Sequence, residues 1–383
     1  MMKSLWSRYS RLGDSYYGIS IEASDCIRKW FQKGYCFSFI QEHFEKGKKT
    51  QAFDFPFQEE FNKKGKHQHT VALYFLGLHL QGLFDEKLKQ KLSRLLPTYG
   101  FDSWYDFRYT WFLTCLYHDT ASCIEQFPRN TFLPERKKML DYYLGKLDVQ
   151  YTPYNHVPLR ERGRLVRFSE MLVKNYFYYR MDRGVLDHGI IGGYYLFDRL
   201  YKNFREQTKN NALNVRESVI RNGLSYRIEH LDHFAYIADA IICHNLWCAY
   251  EPKVIETYKE YGLDPLIIGE DSVNNNWGHV QNKKLNVKDY TLQFLLCLLD
   301  SIEPVKRFTG KDDCSVSAYN VLNKVSIEKA EDSAIKIEWC PCLKIQNSRG
   351  FTTWMNSIKE LDKWMDVTVL FEGENQVKVD FNG

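Results

Sequence analysis

The chain has 383 residues, of which 44% are hydrophobic and 26% charged, and its formal net charge is +4. This composition excludes a disordered or collagen-like chain, and so small a charge does not by itself indicate a nucleic-acid partner. Because single hydrophobic cores stop growing at roughly 250–300 residues, we expect two domains of unequal size.

Cysteine usage and hydropathy indicate the compartment. The ten cysteines include no CxxC pair and several lie inside apolar runs, so we expect small buried hydrophobic residues in a reducing compartment. The N-terminal segment has no apolar signal-peptide core. The longest apolar run, Phe294 to Leu299, is far shorter than the ~20 residues of a membrane span. We therefore expect a cytoplasmic protein with no membrane association.

The pattern of apolar residues changes once along the chain. Up to about Arg307 apolar residues return every three or four positions, which predicts a mainly α fold for residues 1–310. After Lys311 two alternating segments, 321–339 and 367–381, flank an amphipathic helix that Thr352 or Thr353 could cap. We expect residues 311–383 to form a small α+β (ββαββ) domain, with the boundary in the polar stretch 310–315.

The first candidate metal ligand is His69. It begins an amphipathic helical stretch in which leucines at i+4, i+7 and i+11 share its face. His69 is therefore predicted to point into a helical bundle. The alternative is a core histidine held by one hydrogen bond, and His67, on a different face, is the competing ligand.

The second candidate is the dipeptide His118-Asp119, which ends an amphipathic stretch that begins near Phe107. Adjacent helical residues project about 100° apart, close to the ~90° between neighbouring ligands of an octahedral metal ion. The dipeptide could thus hold one ion from two sides. Alternatively, the Asp119 carboxylate caps a turn formed by Thr120 to Ser122.

The third candidate is His188, which precedes three glycines, Gly189, Gly192 and Gly193. Glycine costs roughly 1 kcal/mol relative to alanine inside a helix, so these positions indicate a close approach by a ligand or by another helix. Both interpretations stay open. Asp187 could also be the N-cap of this helix, which would leave His188 in the first turn and nearer to solvent.

The last candidates are His244 and Asp300. His233 and His244 lie on one apolar stripe, where an unpaired imidazole would cost on the order of 1–3 kcal/mol. We therefore expect His244 to have a partner, either a metal ion or a backbone carbonyl. Asp300 follows a strongly apolar helix and would demand a cation there. Its alternative is a capping box formed with Glu303.

These residues form a mixed set of imidazoles and carboxylates on separate predicted helices. Such a set suits Mn²⁺, Fe, Co²⁺, Ni²⁺ or Zn²⁺ better than an oxygen-liganded Ca²⁺ or Mg²⁺ site. We therefore expect one or two divalent transition-metal ions as cofactors.

The order of the candidates resembles the H…HD…D pattern of the HD-domain metal-dependent phosphohydrolases, over roughly His69 to Arg307. The stretches that carry the resemblance are HTVALY at the first helix, LYHDTA at the second and LLCLLDSIEP at the last. The added His188 and His244 resemble the extra histidines of the branches that bind two metal ions, and the branch is not assigned. The resemblance implies that residues 1–310 form a helical HD-type phosphohydrolase domain.

The resemblance also implies roles for the candidate residues. One metal ion would be held by His69, His118, Asp119 and Asp300. Asp119 would bridge to a second ion completed by His188 and His244. The catalytic residues that it implies are Asp119 and His188.

The activity that the resemblance implies is hydrolysis of a phosphoester of a nucleotide, or of a cyclic or oligonucleotide, by water that the metal ions activate. In the basic and aromatic segment 159–184 we expect Arg160, Arg164 and Arg183 to bind the substrate. The alternative there is a solvated basic face over an aromatic core. Further pocket candidates are Asp187, Glu303 and the loop 274–279, and Lys306 could reach the substrate or complement a helix dipole.

Two alternative functions belong to other classes. One is a nuclease that cuts single-stranded DNA or RNA. The other is a sensor that binds a nucleotide without turnover and signals through the C-terminal domain. The expected partners are a nucleotide-type phosphoester substrate and, for the nuclease, a single-stranded nucleic acid, and the sequence leaves a homo-oligomeric state open.

Overall fold

The protein is described by a computed structural model that covers residues 66–95, 107–124, 138–156, 166–208, 219–221, 224–226, 229–268, 284–308, 321–346 and 348–382. Helices dominate these residues up to Phe308, and a four-stranded sheet follows. The prediction of a mainly α fold with a small C-terminal α+β part is therefore confirmed. No helix among the described residues combines the length and the apolar composition that a membrane crossing requires.

The secondary-structure elements are named in chain order. Up to Phe308 they are α1 (Lys66–His79), α2 (Gln81–Leu95), α3 (Phe107–His118), α4 (Met139–Lys146), α5 (Pro153–His156), α6 (Glu170–Asp182), α7 (His188–Thr208), β1 (Val219–Arg221), β2 (Leu224–Tyr226), α8 (Glu229–Cys243), α9 (Pro252–Glu260), α10 (Thr291–Ile302) and α11 (Val305–Phe308). From Val325 onward they are β3 (Val325–Glu331), β4 (Ala334–Trp339), α12 (Cys342–Gln346), α13 (Ser348–Lys359), α14 (Leu361–Trp364), β5 (Val367–Phe371) and β6 (Gln376–Phe381). Short 3-10 helices cover Thr120–Ile124 and Asp264–Leu266.

Polar side chains explain where two of the helices begin. Ser169 caps α6, because its side-chain oxygen accepts a hydrogen bond from Leu172 N at 3.3 Å. Asp187 caps α7 in the same manner, with Oδ1 3.0 Å from Ile190 N. The interpretation of Asp187 as an N-cap is therefore confirmed, and His188 is the first residue of α7.

The chain divides into two compact units. Among the described residues, unit 1 contains those within 66–91 and 246–382, and unit 2 contains those within 92–245. The domain boundary predicted from the sequence, in the stretch 310–315, lies outside the described residues and stays a prediction.

The core of unit 2 is formed by α7 packing against α8 and α3. A Cβ atom at Gly192 would lie 2.8 Å from Tyr117 O, and one at Gly193 would lie 2.7 Å from Ala238 O. Because glycine has no Cβ, it lets these helix backbones approach one another. At both positions the interpretation in which another helix comes close is confirmed.

The core of unit 1 is formed by α1, α10 and α11 with α13. Every residue of α10 except Asp300 and Ser301 is buried, as expected for a helix that is apolar on all sides. Trp354 on α13 is fully buried and donates a hydrogen bond from Nε1 to Ile302 O at 2.9 Å. The indole N–H is thus satisfied, and this bond ties α13 to the end of α10.

The sheet of unit 1 is antiparallel with strand order β3-β4-β6-β5. Val377, Val379 and Phe381 of β6 are buried and alternate with more exposed residues, which is the pattern of a strand with one face on a core. The predicted order of two strands, a helical segment and two strands is confirmed, and the helical segment consists of α12, α13 and α14.

The predicted cap of the C-terminal helix is wrong. The helix α13 begins at Ser348, so Thr352 and Thr353 lie inside it. Their hydroxyl groups donate hydrogen bonds to Ser348 O and Arg349 O, one turn earlier, at 2.8 and 2.9 Å. Threonine commonly satisfies its hydroxyl group in this way when it lies within a helix.

Gly193→Ala is expected to destabilise unit 2. The added Cβ would meet backbone atoms of Ala238 and Ile242, and overpacking of this kind costs roughly 1–3 kcal/mol. The control is Gly145→Ala in α4, where nothing lies within 4 Å of the added Cβ and a helical alanine stabilises by about 0.4–1 kcal/mol. Denaturant unfolding followed by circular dichroism compares the two variants. Equal unfolding midpoints would contradict this account of the packing.

Candidate metal centre

Asp119 lies in a buried group of imidazoles in unit 2. It follows His118, the last residue of α3, and both side chains are completely buried. Its backbone oxygen accepts a hydrogen bond from Ser122 N at 2.9 Å, which forms the following turn through the main chain. Its carboxylate contacts two imidazoles: Oδ1 lies 3.1 Å from His188 Nε2, and Oδ2 lies 3.6 Å from His118 Nε2.

His244, the residue after α8, completes this group, which we call the unit 2 cluster: His118, Asp119, His188 and His244. The centroid of its ring lies 5.7 Å from that of His118 and 5.3 Å from that of His188. All four side chains are buried, with exposed fractions of 6% or less. Unit 2 therefore brings together four of the six predicted metal ligands.

Backbone carbonyls orient two of the imidazoles. His118 Nδ1 lies 2.7 Å from Cys115 O, and His244 Nδ1 lies 2.6 Å from Ile241 O. A carbonyl oxygen can only accept, so Nδ1 of each ring carries the proton. In the neutral ring the lone pair is then on Nε2, the atom that would bind a metal ion. The expectation that His244 has a backbone carbonyl as partner is confirmed, and this partner is compatible with a metal ion on the other ring nitrogen.

Gly189 makes space for the His244 ring. A Cβ atom at this position would lie 2.7 Å from His244 Cε1 and 2.8 Å from Ile241 O. Any larger residue would therefore push on the imidazole itself. This glycine differs from the other two glycines of α7, because it accommodates a residue of the unit 2 cluster as well as a neighbouring backbone.

His188 is the first residue of α7, yet it is only 6% exposed. The expectation that Asp187 as an N-cap would leave His188 nearer to solvent is therefore wrong. Asn245 Nδ2 lies 3.0 Å from His188 Nε2. Tyr176 in turn donates a hydrogen bond from its hydroxyl group to Asn245 O at 2.7 Å. Nothing in the sequence pattern singled out Asn245.

His69 is completely buried in unit 1, with both ring nitrogens next to carboxylates. Nδ1 lies 2.6 Å from Glu303 Oε2, and Nε2 lies 2.8 Å from Asp300 Oδ1. Burial alone lowers the pKa of His69, but the hydrogen bonds to Asp300 and Glu303 outweigh it and raise the pKa above the ordinary value of 6.5. Two of the predicted ligands, His69 and Asp300, are thus in direct contact.

Asp300 lies within α10 and does not form the capping box considered from the sequence. The capping carboxylate is that of Glu303, which accepts hydrogen bonds from Val305 N at 2.7 Å and Lys306 N at 3.2 Å at the start of α11. Lys306 Nζ lies 2.8 Å from both carboxylate oxygens of Asp300. An ammonium group is therefore the cation next to Asp300, and a metal ion bound by this carboxylate would have to compete with it.

The residue types of the unit 2 cluster suit a divalent transition-metal ion. Three imidazoles and one carboxylate are the ligand types that Mn²⁺, Fe²⁺, Co²⁺ and Zn²⁺ accept together. The carbonyl partners of His118 and His244 are the outer contacts that metal-binding histidines usually have. Among the described residues, His118 and Asp119 of this cluster are both buried, and each offers one ligand atom to a metal ion.

His233 has an ordinary structural role in unit 2. Its Nε2 lies 3.0 Å from the hydroxyl oxygen of Thr110 on α3, and both residues are completely buried. Although His233 and His244 share an apolar stripe in the sequence, only His244 belongs to the unit 2 cluster. His233 is therefore a buried histidine of α8 with which His244 can be compared.

The structure describes one of the three predicted substrate-binding arginines. Arg160 and Arg164 lie outside the described residues, as does the loop 274–279. Arg183 is exposed, and its guanidinium group lies 3.8 Å from the centroid of the Tyr179 ring. Tyr176 and Phe177 of the same segment are buried. In α6 three of the four aromatic side chains thus belong to the core, as the alternative interpretation of this segment expected, and Tyr178 is half-buried.

Comparison with known proteins identifies no relative. No protein-family model matches the chain, and it matches neither a curated protein nor a solved structure. The resemblance to the HD-domain phosphohydrolases therefore depends on the residue pattern and on the buried ligand-type residues alone.

Asp239 on α8 is another buried carboxyl group of unit 2, and the sequence pattern did not point to it. Burial raises its pKa to about 7, against the effect of hydrogen bonds from Arg167 N and Cys243 Sγ. The folded protein therefore keeps this group protonated up to near-neutral pH, whereas the unfolded chain loses the proton near pH 3.8.

Asp239→Asn is expected to remove a pH-dependent loss of stability. Between about pH 4 and pH 7 the folded wild type binds more protons at this position than the unfolded chain, so its free energy of unfolding falls as the pH rises. At roughly 1.4 kcal/mol per pKa unit, the loss is on the order of 4 kcal/mol. Denaturant unfolding at pH 5 and pH 8 should detect about 2.6 kcal/mol of it, because the rest of the loss falls below pH 5. A wild type and variant with the same pH dependence would show that Asp239 titrates normally.

Proposed function

We propose that this protein is a metal-dependent phosphohydrolase that cleaves a phosphoester of a nucleotide-type substrate. The observation that supports the proposal is the unit 2 cluster, in which the imidazoles of His118 and His188 contact the carboxylate of Asp119 and the ring of His244 lies next to both imidazoles. A carboxylate that is completely buried is costly unless a positive charge compensates it. A divalent cation would compensate Asp119 and would use the Nε2 lone pairs of the imidazoles.

The residues of the unit 2 cluster have separate proposed roles. His118 and His244 would bind metal through Nε2, since their Nδ1 atoms donate to carbonyls. Asp119 would bind through its carboxylate. By the resemblance, His69 and Asp300 would also be metal ligands, and His188 and His244 would complete a second ion. A bound divalent ion would supply Lewis-acid activation of water and stabilise charge on the phosphoryl group.

His188 and Asp119 are the proposed catalytic residues. His188 Nε2 lies 3.1 Å from Asp119 Oδ1, and imidazole and carboxylate side chains are common general acids and bases. Asn245, whose Nδ2 lies 3.0 Å from the same ring nitrogen, would position the imidazole. Where His188 is not bound to metal, the pair could take the proton from an attacking water molecule and hold it until the leaving group departs.

The two alternative functions have less support. For a nuclease, the aromatic residues of α6 would have to stack on nucleobases, but Tyr176, Phe177 and Tyr179 are buried. For a sensor, no contact among the described residues favours signalling over turnover. A cytoplasmic location and a homo-oligomeric state stay predictions from the sequence.

His244→Gln tests the metal centre, with His233→Gln as a matched control at a second buried histidine. We expect His244→Gln to lose bound metal and hydrolytic activity together, because it removes a ligand atom. His233→Gln alters the hydrogen bond to Thr110, outside the unit 2 cluster, and should keep the metal content of the wild type. Elemental analysis after incubation with Mn²⁺, Co²⁺ or Zn²⁺ gives the metal content.

The same variants are assayed for hydrolysis of mono-, di-, tri- and cyclic nucleotides and of long single-stranded DNA and RNA. Metal-stimulated turnover of short nucleotides alone is the expected outcome, and cleavage of long strands alone would favour the nuclease. A wild type that binds no transition metal and shows no metal-stimulated hydrolysis would end the proposal.

Gly189→Ala is expected to weaken metal binding without removing a ligand. The added methyl group would displace the His244 ring, and disturbing the outer contacts of a ligand typically costs about 10–100-fold in metal affinity. Gly193→Ala is the control, because it crowds the same two helices away from His244. Calorimetric titration with Mn²⁺ compares the variants, both held well below their unfolding temperatures. Equal affinities would show that Gly189 only serves helix packing.

A further inference from the structure

Two thiol groups meet on the surface of unit 1, far along the chain from the proposed metal ligands. Cys340 follows β4, Cys342 is the first residue of α12, and Pro341 lies between them. Their sulfur atoms are 2.7 Å apart. Cys340 is exposed and Cys342 is half-buried, whereas Cys115, Cys243 and Cys297 are buried. The expectation that the cysteines are buried hydrophobic residues therefore holds for those three and is wrong for Cys340.

Backbone hydrogen bonds hold both thiols in place. Cys340 N donates to Lys324 O at 2.8 Å, which attaches the end of β4 to the residue before β3. Leu343 N donates to Cys340 O at 3.0 Å and Lys344 N to Pro341 O at 3.2 Å, so the turn between strand and helix is closed. Proline also restricts its own φ angle. The two sulfur atoms thus lie together because of the main chain.

The two thiols are chemically different. The hydrogen bond with Cys342 lowers the pKa of Cys340, and the positive charge of Lys324 acts in the same direction. The hydrogen bond with Cys340 raises the pKa of Cys342. Cys340 is also the more exposed of the two, and the thiolate is the nucleophilic form of cysteine, so attack on a small disulfide starts from Cys340. Cys342 lies beside it.

We propose that Cys340 and Cys342 form a redox-active dithiol that reduces low-molecular-weight disulfides and closes to an intramolecular disulfide. A disulfide bond has sulfur atoms about 2.05 Å apart, so this pair has to close by only about 0.7 Å. The exposure of Cys340 lets a small disulfide reach it from solvent. The site belongs to unit 1 alone, and its chemistry does not depend on the proposed hydrolysis.

The reaction has two exchange steps. The Cys340 thiolate attacks one sulfur of the small disulfide, forms a mixed disulfide and releases one thiolate. Cys342 then loses its proton to solvent and attacks the Cys340 sulfur, which forms the Cys340–Cys342 bond and releases the second thiolate. The protein dithiol is oxidised by two electrons, and the small disulfide is reduced to two thiols.

Oxidised glutathione is the probe for this reaction, applied to the full-length reduced protein. After acid quenching the remaining thiols are alkylated and the protein is digested with trypsin. Cleavage after Lys336 and Lys344 places both cysteines, and no other, on the peptide 337–344. We expect this peptide to carry no alkyl group and to be two hydrogen atoms lighter than its dithiol form. Cys248, which is half-buried, should stay alkylated.

Two variants separate the roles of the sulfur atoms. Cys342→Ser should stop at a stable glutathione adduct on Cys340, because the resolving thiol is gone. Cys340→Ser should leave Cys342 alkylated. The proposal is overturned if the wild-type peptide stays doubly alkylated under conditions in which glutathione has already modified Cys248. It is also overturned if a glutathione adduct on the wild-type peptide persists and no Cys340–Cys342 disulfide forms.

Discussion

The carboxylate of Asp119 is completely buried. The side chains of unit 2 that lie next to it are of a type that can stabilise a buried carboxylate. Burying an isolated carboxylate would cost on the order of several kcal/mol, a large part of the roughly 5–15 kcal/mol by which a folded domain is more stable than its unfolded chain. Asp119 is instead bordered by the imidazoles of His118 and His188, with His244 beside both. Imidazoles can be buried without charge and can then share one cation with a carboxylate, which explains why this residue mixture is stable in a core.

The fold supplies this arrangement through close helix packing. Glycines in α7 let α3 and α8 approach its backbone, and that approach brings the end of α3, the start of α7 and the end of α8 to the Asp119 carboxylate. Carbonyl oxygens one turn earlier then fix the rings of His118 and His244. In unit 1, His69 is held instead by the carboxylates of Glu303 and Asp300. The Asp300 carboxylate also binds the ammonium group of Lys306.

The local sequence pattern was sufficient to predict burial where burial follows from helical periodicity. His69 and His244 were predicted to point into a core because apolar residues recur on their helix faces, and both are buried. The contact between His69 and Glu303 joins residues 234 positions apart, and no local pattern carries such information. Gly189 left two interpretations open, since the sequence does not show which ring lies against it. Cys340 was misjudged because composition says nothing about exposure at the end of a strand.

The most direct test of the central claim is X-ray absorption at the metal edge of protein loaded with Co²⁺ or Mn²⁺. We predict a coordination shell of nitrogen and oxygen with the multiple scattering that imidazole rings produce, and its loss in Asp119→Asn at unchanged helical content. A wild-type shell made of water oxygens without imidazole, or one that contains sulfur, would contradict a metal centre built on Asp119 and its histidines.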